Sequence, residues 1–243
     1  MKSSNQCIFV SKLFLRLLGT AILILIVGSL LHTRPASAAS GNTYTGKYVI
    51  ENSLRRTVVP LPDGAWHKVH EEIRHDAHPV STYQSQTIYL VQIDGSDVSG
   101  VIRILTNKEF HGGASWNPSN LCYRKKWKYI KQESVLNRNV FCWGVRNIRF
   151  GTNPRKDTPW ESTVKKIREA GWSAPLGIRG TLARYARSDS DKMLDVSYSF
   201  FLTARMPWMA TRDWLRDLKP RIQAGFQGKY VTPPKGAAGK LKP

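Results

Sequence analysis

The sequence predicts a single α+β domain, mainly antiparallel β-sheet, with two amphipathic helices packed on one face of the sheet or at an edge. Three observations carry that expectation. Over 193–203 the apolar residues Leu194, Val196, Tyr198, Phe200 and Leu202 alternate strictly with other residues, Asp195, Ser197 and Ser199 among them. That is the period of a strand with one buried and one polar face. Shorter apolar runs of similar kind are separated by Gly, Pro, Asn and Asp. Helical periodicity is confined to two places, one after Thr158 and one after Thr211.

The chain opens with what reads as an export signal. Lys2, Lys12 and Arg16 precede an uncharged, mostly apolar run over 17–31, and Ala36-Ser37-Ala38 supplies a small-residue exit. The apolar run is shorter than the ~20 residues that span hydrocarbon as a helix. The expectation is a secretory signal over 1–38, cleaved, or else kept as an N-terminal anchor that tethers the protein to the inner membrane. The remaining chain is then exported, to a periplasmic or extracellular setting. Cleavage leaves 205 of 243 residues, enough for one domain with a real hydrophobic core. Cys122 and Cys142 are the cysteines of that exported part, and an oxidising compartment makes them a structural disulfide.

The first strand is expected over 47–51, followed by turn chemistry in Pro60-Leu61-Pro62-Asp63-Gly64 and a strand over 65–74. Runs over 87–93 and 98–105 flank Asp94-Gly95-Ser96-Asp97, a strong hairpin signal. A second pair, over 125–132 and 140–150, brackets Leu136-Asn137-Arg138-Asn139, and a strand over 181–187 pairs with 193–203. Thr158, Pro159 and Glu161 form a capping box ahead of the stripe Trp160, Val164 and Ile167, and Gly171 gives a left-handed exit. The second helix runs from about Thr211 to Phe226, with Trp214, Leu218, Ile222 and Phe226 four apart. Pro220 inside it predicts a kink or two short helices. The domain then spans 39–230, and 231–243, rich in Pro, Gly and Lys, reads as a disordered basic tail.

Charge is the second strong signal. Removing Lys2, Lys12, Arg16 and Arg34 with the signal leaves 33 of 37 basic residues against 17 acidic ones, a net charge of +16. Such a field enriches anionic partners near the surface. Outside the cytoplasm these are lipid headgroups and acidic polysaccharide rather than nucleic acid. The run Arg124-Lys125-Lys126-Trp127-Lys128-Tyr129 places three cations on one face of a strand and two aromatic rings on the other. Arg124, Lys125, Lys126 and Lys128 are therefore the candidate anion-binding residues, with Trp127 and Tyr129 in the core. Arg146 and Arg149 fall on opposite faces of the neighbouring run, so at most one widens this stripe. Trp116 and Trp208, beside prolines, are the tryptophans placed to meet a ligand or bilayer.

Four histidines crowd one window: His67, His70, His75 and His78, with Glu71, Glu72 and Asp76 among them. Imidazole and carboxylate together suit a transition metal. On a regular strand His70 and Glu72 share one face while His67 and Glu71 share the other. A site then draws on His70 together with His75, Asp76 and His78 from the following loop. No cofactor is otherwise implied. Glu71 with Glu72, and Asp94 with Asp97, lack the cleft-spanning separation of a glycosidase pair. His111-Gly112-Gly113 has no accompanying Gly-x-Ser-x-Gly elbow. The sequence thus favours a non-enzymatic exported protein that binds an anionic polymer or membrane surface. Two alternatives stand beside it: a metal-assisted extracytoplasmic enzyme using the histidine cluster, and a structural or assembly subunit with an envelope protein as partner.

Overall fold

Ten strands and two helices make up the computed structural model, which describes residues 43–51, 56–78, 81–111, 122, 127–136, 139–189, 192–201 and 208–232. The strands are β1 (Thr43–Tyr44), β2 (Lys47–Glu51), β3 (Arg56–Pro60), β4 (Trp66–His78), β5 (Ser81–Asp94), β6 (Asp97–His111), β7 (Tyr129–Leu136), β8 (Asn139–Arg149), β9 (Arg179–Ser188) and β10 (Met193–Phe201). The helices are α1 (Pro159–Glu169) and α2 (Trp208–Phe226). Eight strands form one sheet in the order β1-β4-β5-β6-β10-β9-β8-β7, antiparallel throughout, and β2 pairs with β3 as a separate hairpin. This is an α+β fold, as the alternation predicts. Residues 1–38, expected to be a signal, and the expected basic tail beyond residue 232 lie outside the described residues.

Turn chemistry sets the register. Gly95, at φ 61°, closes the tight β5–β6 turn in which Asp94 pairs with Asp97. Gly64, at φ 103°, turns the chain from the hairpin into β4. Two short strands escape the sequence reading. β1 is two residues long, and in β3 Val58 and Val59 stand next to Pro60, which reads as the start of a turn. Several strands also run further than their alternation: β4 reaches His78 and β6 reaches His111.

Both faces of the sheet are covered, and by different elements. One face carries Ile88, Leu90, Ile102, Ile104, Val196, Tyr198 and Tyr185, buried under the β2–β3 hairpin and the α2 residues Leu215, Leu218, Ile222 and Phe226. The opposite face carries Tyr89, Val91 and Val101 beneath α1, through Ile167 and Trp160. The expectation of both helices on one face or at an edge is therefore corrected: they sandwich the sheet. β10 is corrected with it. Asp195, Ser197 and Ser199 are buried too, 3%, 7% and 5% exposed, so this central strand has no solvated face.

The α1 cap forms as the sequence predicts. Thr158 Oγ1 accepts from the Glu161 amide at 3.2 Å, and the Glu161 carboxylate accepts from the Asp157 amide at 2.8 Å. α2 differs from expectation. It begins at Trp208 and continues as a single helix through Pro220. The proline is exposed, while buried residues line the helix on both sides of it, from Thr211 and Leu215 to Ile222 and Phe226. Burial of that continuous stripe offsets the lost backbone bond, which faces water. Cys122 and Cys142 form the expected disulfide, with Cα atoms 5.8 Å apart, buried with Val140 and Ala186. Among the described residues no helix is long and apolar enough to cross a membrane.

Candidate anion-binding edge

The cationic stripe read from the sequence starts outside the described residues: Arg124, Lys125 and Lys126 are not among them. Lys128 is. It is exposed, and its amide donates to the Val145 carbonyl at 3.1 Å, which ties it to β8 just ahead of β7. The strand expected from residue 125 thus begins at Tyr129. Tyr129 packs its ring 5.1 Å from Trp143, in the core as expected. Trp127 is half-buried against the disulfide, with the Arg146 guanidinium 5.2 Å from its ring centroid.

Strand pairing adds a residue that the sequence reading missed. Arg149 on β8 lies directly opposite Arg179 on β9, and both are exposed. Arg146 sits three positions away, opposite Leu182, so it points to the other face as alternation requires. Among the described residues neither Arg149 nor Arg179 has a carboxylate partner, and Arg149 Nε donates to the Gly177 carbonyl at 3.3 Å. Like charges directly opposite on a sheet are unfavourable by some tenths of a kcal/mol. Lys128 meets β8 at Val145, four residues back along the strand from Arg149. Nothing in the local sequence signals Arg179, since its role arises from register between segments thirty residues apart.

Several carboxylates elsewhere are committed to partners. Glu133 accepts from Trp143 Nε1 at 3.0 Å and from Lys219 Nζ at 2.5 Å. Burial alone raises its pKa, but these donors and the charges of Lys219 and Lys131 outweigh it, holding the carboxyl below its ordinary value. On the α1 face of the sheet, Asp195 accepts twice from Arg184, from Nε at 2.7 Å and from a second guanidinium nitrogen. Burial raises the Asp195 carboxyl, yet the Arg184 charge, the hydrogen bonds and the Arg103 charge overcome it, so the net displacement is downward. This is a compensated buried pair within the fold.

The histidine strand is rearranged by a bulge between Lys68 and His70. His67 pairs with Val91 and His70 with Tyr89, so the two share the α1 face. The expectation that they lie on opposite faces fails because one extra residue inverts the alternation. His67 is committed to its surroundings: its ring packs 5.3 Å from Trp172 and its Nδ1 is 3.1 Å from Thr43 Oγ1. His70 is buried, 3.5 Å from the Glu72 carboxylate, and neither ring nitrogen has a hydrogen bond. Burial lowers its affinity for a proton, and Glu72 only partly opposes that.

His75, Asp76 and His78 are not in a loop. β4 continues through all three, opposite Gln84, Tyr83 and Ser81, and by register His75 falls on the side away from His70. The side chains of Asp76 and His78 lie outside the described residues. Among the described residues no three His, Cys, Asp or Glu side chains come together in ligand geometry. Glu71 and Glu72 point to opposite faces, and Asp94 and Asp97 flank an exposed turn. Trp208 is half-buried on α2 with Arg212 over its ring at 5.7 Å, while Trp116 is outside the described residues. No protein-family model, no curated protein and no solved structure matches this chain.

Proposed function

We propose that the protein works outside the cytoplasm and binds an anionic polymer or membrane surface of the cell envelope. The end of the sheet that carries Lys128, Arg149 and Arg179 makes the contact. The observation that supports this reading is the facing Arg149–Arg179 pair. Two exposed guanidinium groups on adjacent strands repel each other unless an anion lies between or across them, and their planar donor forks match phosphate and carboxylate. Several carboxylates are held in bridged pairs, while Arg149 and Arg179 face each other across two strands, an arrangement that favours an anionic ligand there. The sequence supports the same direction through its net charge and its signal-like first forty residues. The disulfide fits an oxidising compartment. The metal-assisted alternative has no comparable support, since His70 and His75 are on opposite sides of β4.

The test is association with vesicles containing anionic lipid and with an acidic polysaccharide, followed as salt rises. With three charges engaged, binding weakens about tenfold or more between about 50 and 200 mM salt. Charge reversal of both Arg149→Glu and Arg179→Glu abolishes most of the binding and flattens the salt dependence. Association that ignores salt, or that survives the double reversal unchanged, overturns the reading.

A further inference from the structure

Among the described residues β4 is the longest unpaired edge in the sheet. It runs for 13 residues, but β1 pairs with it only at Trp66 and His67. Among the described residues no strand lies along the outer side of β4 beyond His67. An edge of that length presents a row of backbone donors and acceptors, a template for another strand. It is also locally balanced in charge within a strongly basic chain: Glu71, Glu72 and Asp76 stand among Lys68, Arg74 and His75, with Glu72 bridged to Arg74 and Glu71 to Lys68 inside each copy. Elsewhere the net charge of the chain opposes self-association.

The order of residues along this edge is complementary to itself. Two antiparallel copies related by a two-fold axis through Ile73 bring Glu72 opposite Arg74 and Glu71 opposite His75, each pair occurring twice. Ile73 meets Ile73 on the axis. Ile73 is one of the few large apolar residues left exposed, at 38%. The adjacent dyad registers lack this match, because an axis through Glu72 sets Glu72 against itself and one through Arg74 sets Arg74 against itself. Because a dyad normal to the sheet keeps each face continuous, the register moves in steps of two, and of the three registers centred on Glu72, Ile73 and Arg74 the middle one keeps its acids facing bases. We propose that the protein forms an isologous homodimer through β4, joining two eight-stranded sheets edge to edge about Ile73. Its partner is a second copy of this chain, and the cationic end at β7, β8 and β9 lies toward the opposite edge of each sheet, free for its ligand.

Sedimentation equilibrium of the full chain across a range of micromolar concentrations tests this directly. The expected wild-type mass is that of two chains. Glu72→Arg sets arginine against Arg74 twice per dimer and raises the dissociation constant about tenfold or more. Combining Glu72→Arg with Arg74→Glu restores opposite charges in the same register and recovers dimerisation. Ile73→Lys, at an exposed position that leaves the fold intact, places two cations on the axis and yields a monomer. A monomeric wild type overturns the proposal, including one whose β4 amides are protected by another segment of its own chain. So does a dimer indifferent to Glu72→Arg and Ile73→Lys, or a charge swap that fails to recover it.

Discussion

Asp195 shows how one residue's chemistry depends on what surrounds it. By sequence it is one of the polar positions of an alternating strand. In the fold it is 3% exposed and answered by both nitrogens of an Arg184 fork. A buried charge whose partner is removed is far costlier than the pair is beneficial. Asp195→Asn is therefore expected to destabilise the protein by about 3 to 5 kcal/mol in urea unfolding. Replacing Asp195 and Arg184 together with leucines costs less than that single change. Equal losses for the single and double variants would show that the pair is not what holds this site.

The residues Arg149 and Arg179 illustrate the same dependence at the surface. Each is an ordinary exposed arginine in the sequence. Placed opposite one another by β8–β9 pairing, they become a site.

At the scale of elements, the packing of α2 on β3 is the tightest joint. A Cβ on Gly225 would lie 1.8 Å from the Val58 carbonyl oxygen, and the obstruction is backbone that cannot swing aside. Helix propensity alone favours Gly225→Ala by about 1 kcal/mol. Overpacking of this kind costs about 1 to 3 kcal/mol when backbone must move. The prediction is a net loss of stability, with α2 displaced from the hairpin, read as a lower thermal midpoint and faster amide exchange in β3. A variant more stable than wild type would show that the joint yields more easily than the geometry implies. The bulge in β4 is the other decisive element-scale feature. It moves His67 to the face of His70, and it lets Glu71 reach both Lys68 at 3.0 Å and Gln86 at 2.6 Å.

Acid stability belongs to the whole molecule. Burial lowers the proton affinity of His70 below its ordinary value of 6.5. Below that pH the unfolded chain takes a proton that folded His70 resists, so stability falls as pH drops from about 6.5 toward the folded value. Asp195, Glu71, Glu72 and Glu133 are displaced downward. Their contributions are complete above their ordinary values, 3.8 for the aspartate and 4.5 for the glutamates, and are lost as pH falls through the folded ones. Thermal midpoints are thus expected to decline in two steps. His70→Phe, which keeps an aromatic ring beside Tyr89, removes the step below 6.5 and leaves the more acidic one. A midpoint profile unchanged by that variant would contradict the assignment.

Fold class, the antiparallel hairpins, the capped start of α1 and the disulfide all follow from local residue patterns. Those features depend on short-range chemistry: period-two alternation, turn residues, a Thr-Pro-x-Glu start and two cysteines beyond the first forty residues. Tertiary structure decided which faces are buried. Leu194 to Phe200 read as a half-solvated strand, yet its polar positions are covered too, because a central strand is flanked on both faces by elements far away in sequence. It decided that α2 passes through Pro220, since burial on both sides of an exposed proline outweighs one missing bond. It also decided the candidate site, because pairing register brings Arg149 to Arg179 and a single extra residue in β4 reverses His67. Local patterns report how a segment buries its own side chains; they carry no information about which distant segment lies across from it.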